Sequence, residues 1–243
     1  MFVPTAFYGG ETPDVYDNLF RGSWDASNAS SYPGTGTNWF NVSGSGTFVE
    51  SNASNVTWTN SGSADFFTYS GNAYHSIASF EMKDGVIGGS YGSGWAFSVW
   101  AKPANMTGQG ILSIESGGGS NRLEMEIDSH NNRFYFTANQ ENGASTFAGN
   151  SGILSAGPWY NLVYTFDGVT FKGYVNNSLV ASGIKSNPAF VTSTTAVTKF
   201  YLAYTPNYYY NSGEMGMCEM WNRAISADEV TEVWNYHKAR FGY

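Results

Sequence analysis

Residues Trp159 to Gly183, WYNLVYTFDGVTFKGYVNNSLVASG, decide how this chain folds. Leu162, Tyr164 and Phe166 alternate with Val163 and Thr165, so side chains leave the backbone on opposite faces at period two, as in a strand. Asp167-Gly168 predicts a tight turn, because Gly tolerates positive φ and Asp can bond the amides that follow it. Phe171, Gly173 and Val175 resume the alternation, with Lys172 and Tyr174 on the other face. Asn176-Asn177 turns the chain again into a third strand, Leu179 to Ala181. Three antiparallel strands cannot hold together alone in water. Their apolar face needs a second sheet, which the rest of the chain has to supply.

Outward from this meander, the chain offers strand-length segments divided by turn residues. Upstream these are Leu19–Trp24, Phe48–Thr59, Ala64–Tyr69, Ala73–Glu81, Trp95–Lys102, Gly110–Glu115, Arg122–Asp128, Arg133–Ala138 and Ser145–Phe147. Downstream they are Lys199–Tyr204 and Glu214–Trp221. Many short strands with regular turns predict a sandwich or barrel. Tyr32 and Trp39 are expected to pin the turn-rich segment after Trp24, and Lys83 to Gly94 reads as a Gly-rich loop. The one helical signal lies near the end. Ser226-Ala-Asp-Glu229 is a capping box, and Val230, Val233, Trp234 and His237 fall on one helical face. Residues 1–18, with Pro4, Gly9-Gly10 and Pro13, show no period and read as an arm; residues 19–243 read as a single domain.

Composition narrows the function classes. Of 243 residues, 42% are hydrophobic, so a large core can form, and 17% are aromatic, which favours strands. Only 12% are charged, with a net charge of −8. That balance argues against a nucleic-acid backbone or an anionic membrane surface as partner. No apolar run approaches the ~20 residues of a membrane span, and no signal peptide is read at the start. Cys218 is the single cysteine, which excludes an intrachain disulfide and reads as a small buried hydrophobe.

The order WAFSVWAKP, then the meander, then MWNRAISADEV resembles the laminin-G-like, concanavalin A-like family. The resemblance implies an all-β fold, a two-sheet antiparallel jelly-roll sandwich with one short C-terminal helix. In the meander Asn177 stands where the family usually has Gly. Trp24 to Gly46 and the ending NYHKARFGY further resemble virion structural proteins of tailed, particularly marine, bacteriophages, although Asn41 to Gly46 departs from their loop. This second resemblance implies a capsid decoration or a fibre-like appendage, made in a host cytoplasm and carried on the virion. Its partners would be a major capsid protein or appendage subunits. A homo-oligomer, a trimer by preference, would form through the N-terminal arm or through Arg240 to Tyr243.

Three stretches carry candidate chemistry. In Thr205 to Asn211, Tyr208, Tyr209 and Tyr210, with Tyr204 before them, cannot all face a core; exposed tyrosines suit sugar rings or protein partners. A packing role on the rim is the competing reading. Glu124-Met-Glu126-Ile-Asp128 puts three carboxylates on one strand face, which invites a retaining glycosidase. The order of residues is wrong, however: the register Glu126, Asp128, His130 puts His where a second Glu belongs. The expectation is a solvated face beside Arg122 or Arg133, and a protein that is not an enzyme. Finally, the family resemblance raises calcium, with Asp25, Asp84 and Asp167 as turn carboxylates in no cluster, so no ligand is assigned and no other cofactor is expected.

Overall fold

The computed structural model describes residues 13–80, 82–83, 86–87, 94–116, 122–128, 132–139, 145–184, 198–205 and 209–243. The strands in chain order are β1 (Phe20–Asp25), β2 (Asn38–Phe40), β3 (Thr47–Glu50), β4 (Val56–Thr59), β5 (Phe66–Tyr69), β6 (His75–Phe80), β7 (Met82–Lys83), β8 (Val86–Ile87), β9 (Trp95–Pro103) and β10 (Gln109–Ser116). They continue as β11 (Arg122–Ile127), β12 (Phe134–Asn139), β13 (Ser145–Asn150), β14 (Tyr160–Phe166), β15 (Thr170–Val175), β16 (Ser178–Ile184), β17 (Thr198–Leu202), β18 (Tyr204–Thr205), β19 (Tyr209–Tyr210) and β20 (Gly213–Trp221). Among the described residues two eight-stranded antiparallel sheets form. The first has the order β16-β15-β14-β9-β20-β5-β4, with β1 also on β20; the second has the order β13-β12-β11-β10-β17-β6-β3-β2. The fold is the expected jelly-roll sandwich. No helix in the described residues is long and apolar enough to cross a membrane.

The meander pairs in the expected register, Leu162 opposite Val175, Tyr164 opposite Gly173 and Phe166 opposite Phe171. Asp167 Oδ1 accepts from the Val169 and Thr170 amides at 2.9 and 2.7 Å. The second turn needs positive φ at both central residues, and Asn176 and Asn177 adopt 47° and 66°. Asn can do this where Val or Leu could not, and Asn176 Oδ1 is fixed by the Asn161 amide at 2.9 Å.

Between the sheets, Phe97, Val99, Leu162 and Phe166 face Leu112, Leu123, Met125, Phe136 and Phe200, all fully buried or nearly so. Gly173 lies where the sheets come closest: a Cβ there would stand 2.6 Å from the Phe136 ring. Tyr32 and Trp39 are buried in this core, as expected of the segment they pin. Cys218 is buried as well.

The outer face of the first sheet is covered by the C-terminal segment. Helix α1 (Ala227–His237) starts at the predicted capping box, with the Glu229 amide donating to Ser226 Oγ at 3.2 Å and the Ser226 amide to Glu229 Oε2 at 2.7 Å. Val230 and Val233 pack on Ala96, Val163 and Trp221. Trp100 stacks on Trp234 and on Phe241, at 5.3 and 4.1 Å between ring centroids. Residues 13–18 belong to this layer. Val15 and Tyr16 are buried, the Trp221 indole donates to the Val15 carbonyl at 2.8 Å, and Tyr16 Oη meets His237 Nε2 at 2.7 Å. Residues 1–12 lie outside the described residues.

Of the C-terminal residues expected to contact a neighbouring subunit, Arg240 and Phe241 are buried within their own domain, while Gly242 and Tyr243 stay exposed. Arg240 forks onto Asp25, donating to Oδ2 at 2.8 Å and to Oδ1 at 2.5 Å. Burial alone would raise the Asp25 carboxyl, but the Arg240 guanidinium outweighs it and holds Asp25 below the usual carboxylate range. A charge so paired becomes a liability when its partner is removed. Arg240→Met is expected to cost about 3–5 kcal/mol in urea unfolding, much of it recovered in Arg240→Met/Asp25→Leu. A loss under about 1 kcal/mol would show that the pair is solvated in practice.

His75 gives a second measurable consequence. It is buried among Trp39, Phe67 and Tyr69, with Nδ1 at 2.6 Å from Tyr69 Oη. Burial pushes its imidazolium down to about 3. The unfolded chain therefore binds this proton first as pH falls, so the contribution is full above ~6.5 and is lost progressively from there toward 3. Unfolding free energy measured from pH 7 to 4 should fall in the wild type and fall less steeply in His75→Gln; equal slopes would place the acid sensitivity elsewhere.

Candidate functional site

α1 covers the outer face of the first sheet, and the outer face of the second carries a row of polar residues. Its central row runs across the strands as Thr137, Glu124, Ser113, Tyr201 and Ser76. Glu115 stands between Arg122 and Lys199 in the next row, and Glu126 lies between Tyr135 and Gly110. Because these residues alternate with Leu112, Ile114, Leu123 and Met125, the same period that fills the core lines this face.

The tyrosine segment, expected as a loop, folds into a hairpin that returns over β10. The strand expected to run through Tyr204 breaks at Ala203, which takes a φ of 66° and donates its amide to the Ile111 carbonyl at 2.9 Å. β18 then pairs with β19, Tyr204 opposite Tyr210 and Thr205 opposite Tyr209. The Ser113 hydroxyl donates to the Tyr204 carbonyl at 3.1 Å, anchoring the hairpin to the sheet. Thr205 is completely buried.

Of the four tyrosines proposed from sequence, Tyr204 and Tyr210 come together, 4.9 Å between centroids. Tyr209 contributes backbone pairing to Thr205, and Tyr208 lies outside the described residues. The structure adds two partners that the sequence did not reveal. Tyr74 stacks on Tyr204 at 5.1 Å and on Tyr210 at 6.3 Å, and Tyr201 meets Tyr204 edge-on at 5.1 Å. Tyr74, Tyr204 and Tyr210 remain half-exposed, whereas Tyr201 is buried. Tyr201 donates to Glu115 Oε1 at 3.1 Å. Burial, and then the Glu115 charge, push the Tyr201 phenol up, so it stays a donor.

The carboxylate strand departs from the expected solvated face. Glu124 is 1% exposed, accepts from the Thr137 hydroxyl at 3.3 Å and pairs with the Arg122 guanidinium at 3.6 Å. Glu126 is half-buried, with Oε2 sealed from solvent and the Thr205 hydroxyl beside the carboxyl. Burial, followed by the Glu124 charge, raises the Glu126 carboxyl to about 7; Asp128 adds to this, while Arg122 and the Thr205 hydroxyl oppose it. Thr137 and Arg122 close around Glu124, and the hairpin, packed on the neighbouring β10, brings the buried Thr205 hydroxyl to Glu126. His130 and Asp84 lie outside the described residues. Asp25 is engaged by Arg240 and Asp167 by its own turn, and no group of three or more His, Cys, Asp or Glu that could hold a metal ion forms among the described residues.

A family model described as Laminin_G_3, concanavalin A-like lectin/glucanases superfamily, matches residues 78–231. The chain belongs to this superfamily. No curated protein sequence matches it. Among solved structures it is similar to domain 4 of an extracellular arabinanase from Geobacillus stearothermophilus, solved with arabinotriose, at TM-score 0.65 and 13% identity over 88% of this chain and 97% of that one. It is also similar to botulinum neurotoxin type C, whose uptake into cells depends on two ganglioside molecules, at TM-score 0.63 and 14% identity over 89% of this chain and 51% of that one. Trypanosoma rangeli sialidase follows at TM-score 0.66 and 13% identity, over 100% of this chain and 36% of that one. The chain thus spans about half of the neurotoxin chain and about a third of the sialidase. At such identities the likeness is one of fold.

The Glu126 environment can be checked directly. Arg122→Met removes the cation that opposes the shift, so Glu126 should titrate higher than the wild-type value of about 7, followed by carboxyl carbon NMR. A midpoint near 4.5 in the wild type would show that water reaches this carboxyl.

Proposed function

We propose that the protein is a glycan-binding domain whose site is the tyrosine-topped outer face of the second sheet. The observation that carries this reading is the half-exposed stack of Tyr74, Tyr204 and Tyr210 beside a row of polar groups on the sheet. Tyrosine rings present flat apolar surface to the C–H faces of a sugar, while carboxyls, hydroxyls and a guanidinium alongside can bond its hydroxyl groups. The neighbours of this fold solved with arabinotriose or tied to gangliosides support the same class of ligand.

The reading is of binding without catalysis. A carboxylate pair that cleaves glycosides must present both members to the substrate. Glu124 is sealed, with its oxygens turned to Thr137 and Arg122. The resemblance of Trp24 to Gly46 and of the C-terminal ending to phage virion proteins supports a place on a particle, as a decoration or appendage that holds glycans weakly at a host surface. On that reading the assembly is a homo-oligomer, a trimer by preference, joined to other virion proteins. A carbohydrate-binding module with no structural role is the alternative, and detection of the chain in purified particles separates the two.

On a glycan array the wild type should bind a coherent glycan class saturably. Tyr204→Ala/Tyr210→Ala should lose at least about tenfold in affinity with its melting temperature little changed, in keeping with the ~1–3 kcal/mol that stacking on an aromatic side chain contributes in other ligands. The same glycans incubated with the protein should release no reducing sugar. Retained binding in the double variant would move the site elsewhere, and sugar release lost in Glu126→Gln would reinstate catalysis.

A further inference from the structure

A sugar stacked on the tyrosines also needs partners for its hydroxyl groups. Of the polar row on the sheet, Thr137, Glu124, Ser113 and Tyr201 are buried, so exposed partners have to come from around the tyrosines. Beside Tyr74, at the rim of the sandwich, Asn52, Asn55 and Asn72 form a cluster of side-chain amides. Asn72 Oδ1 accepts from Asn52 Nδ2 at 2.9 Å and from Asn55 Nδ2 at 3.2 Å, and Asn52 Oδ1 accepts from Ser54 Oγ at 2.8 Å. Resting on the glycan-binding reading above, we propose that this amide cluster is the hydroxyl-recognising half of the site, that its ligand is a neutral saccharide, and that recognition needs no metal ion.

The register puts the amides and the rings at the same end of the sandwich. Ser51 stands across from Tyr74: its amide donates to the Tyr74 carbonyl at 2.9 Å, and its hydroxyl accepts from the Tyr74 amide at 3.0 Å. Asn52 is the next residue and opens the 3-10 turn Ala53–Asn55. Asn72 and Tyr74 flank Ala73, which is fully buried, so both leave an extended segment on the side away from the core. Two residue steps separate them, roughly 7 Å, a span that one sugar ring with its exocyclic hydroxyls covers. A second constraint comes from β20. Tyr69 pairs with both Val56 and Gly213, and the Ser70 amide donates to the Asn55 carbonyl at 3.0 Å. The turn that carries Asn72 therefore runs beside the chain that leaves Tyr210 for Gly213. Tyr74 closes this circuit by stacking on Tyr210.

The direction of the hydrogen bonds decides what the cluster can bind. A side-chain amide has two donor hydrogens and one acceptor oxygen. Asn72 is exposed and its oxygen is turned to two donors, so its nitrogen is the end that meets a ligand. Asn52 and Asn55 each spend one N–H on Asn72 and keep a second. Outward N–H groups match the lone pairs of sugar hydroxyls and ring oxygens, whereas a divalent cation needs the reverse, oxygens outward. The cluster carries no charge, and Ser51, Ser54 and Ser70 around it add only hydroxyls. Glu50, two residues before Asn52, turns its charge toward Tyr32 and Tyr69 instead. Because the amides hold one another, they are ordered before a ligand arrives, which lowers the entropic cost of binding.

The experiment is a glycan array followed by titration calorimetry with the best neutral oligosaccharide, for the wild type and Asn72→Asp, with calcium and again with chelator. Asn72→Asp keeps the oxygen that Asn52 and Asn55 bond and replaces the outward amide nitrogen by an acceptor, so the rim stays tied while the donors are lost. The proposal expects wild-type affinity unchanged by chelator and nearly flat with added salt. It expects a loss of at least about fivefold in Asn72→Asp, with the melting temperature little changed. Full affinity in Asn72→Asp, binding abolished by chelator or binding steeply weakened by salt would overturn this inference; the glycan-binding reading would stand as long as Tyr204→Ala/Tyr210→Ala still loses the ligand. An array blank with and without calcium would overturn both.

Discussion

Trp100 lies on the outer face of the first sheet, its ring nearly parallel to those of Trp234 and Phe241 at interplanar angles of 11° and 8°. Offset aromatic pairs contribute about 0.5–1.5 kcal/mol each beyond the area they bury, and here they join the last turn of the chain to the middle of a sheet. Trp234 belongs to α1 and Phe241 to the 3-10 turn Lys238–Phe241, so the stack fixes both at once. The same turn presents Arg240 to Asp25 at the end of β1. Tyr16 is held from the other side by His237. One outer face of the sandwich is thereby covered by residues 13–18 and 227–241, while the outer face of the second sheet carries the polar row and the tyrosine hairpin.

That display depends on an irregularity. Leu202 and Ala203 are consecutive yet both enter the core, as are Ile111 and Leu112 on β10. Two neighbours cannot both point inward on a regular strand, and the pairing of β10 with β11 shifts register between Gly110 and Leu112. Ala203 meets the constraint with a left-handed backbone, a conformation costing on the order of 1–2 kcal/mol for a residue with a Cβ. The Ala203–Ile111 hydrogen bond and the anchoring of Tyr204 by Ser113 offset it. Strain held in place by surrounding contacts is common where a chain must aim a segment at a site, and here it directs the tyrosine hairpin across β10.

Local features were legible in the sequence because local physics decides them. The period-two runs, the Asp167-Gly168 turn, the Asn176-Asn177 turn and the Ser226–Glu229 capping box each lie within a few residues, and each forms as read. The site was half legible. Consecutive tyrosines betray a surface, but the pairing of Tyr74 with Tyr204 and Tyr210 spans more than half of the chain and exists only because β6 lies beside β17. The burial of Glu124 was not legible at all. Alternating acid and apolar residues read as a strand with one wet face, whereas Thr137 from β12 and Arg122 close around Glu124 once the strands pair. The fate of Arg240 was hidden for the same reason, since its partner Asp25 stands at the opposite end of the chain.

Glu124 and Glu126 share a strand and a face, two residues apart, and the fold treats them oppositely. Glu124 is closed off and matched, by a hydroxyl on one oxygen and a guanidinium on the other. Glu126 is half-buried, raised by burial and then by the charge of its neighbour, with the Thr205 hydroxyl opposing the shift. Two like charges this close resist ionising together, and the Glu124 charge adds to the burial that raises Glu126. A structural role would have favoured an apolar residue or a matched pair at that position, since a half-satisfied buried group destabilises the fold that contains it.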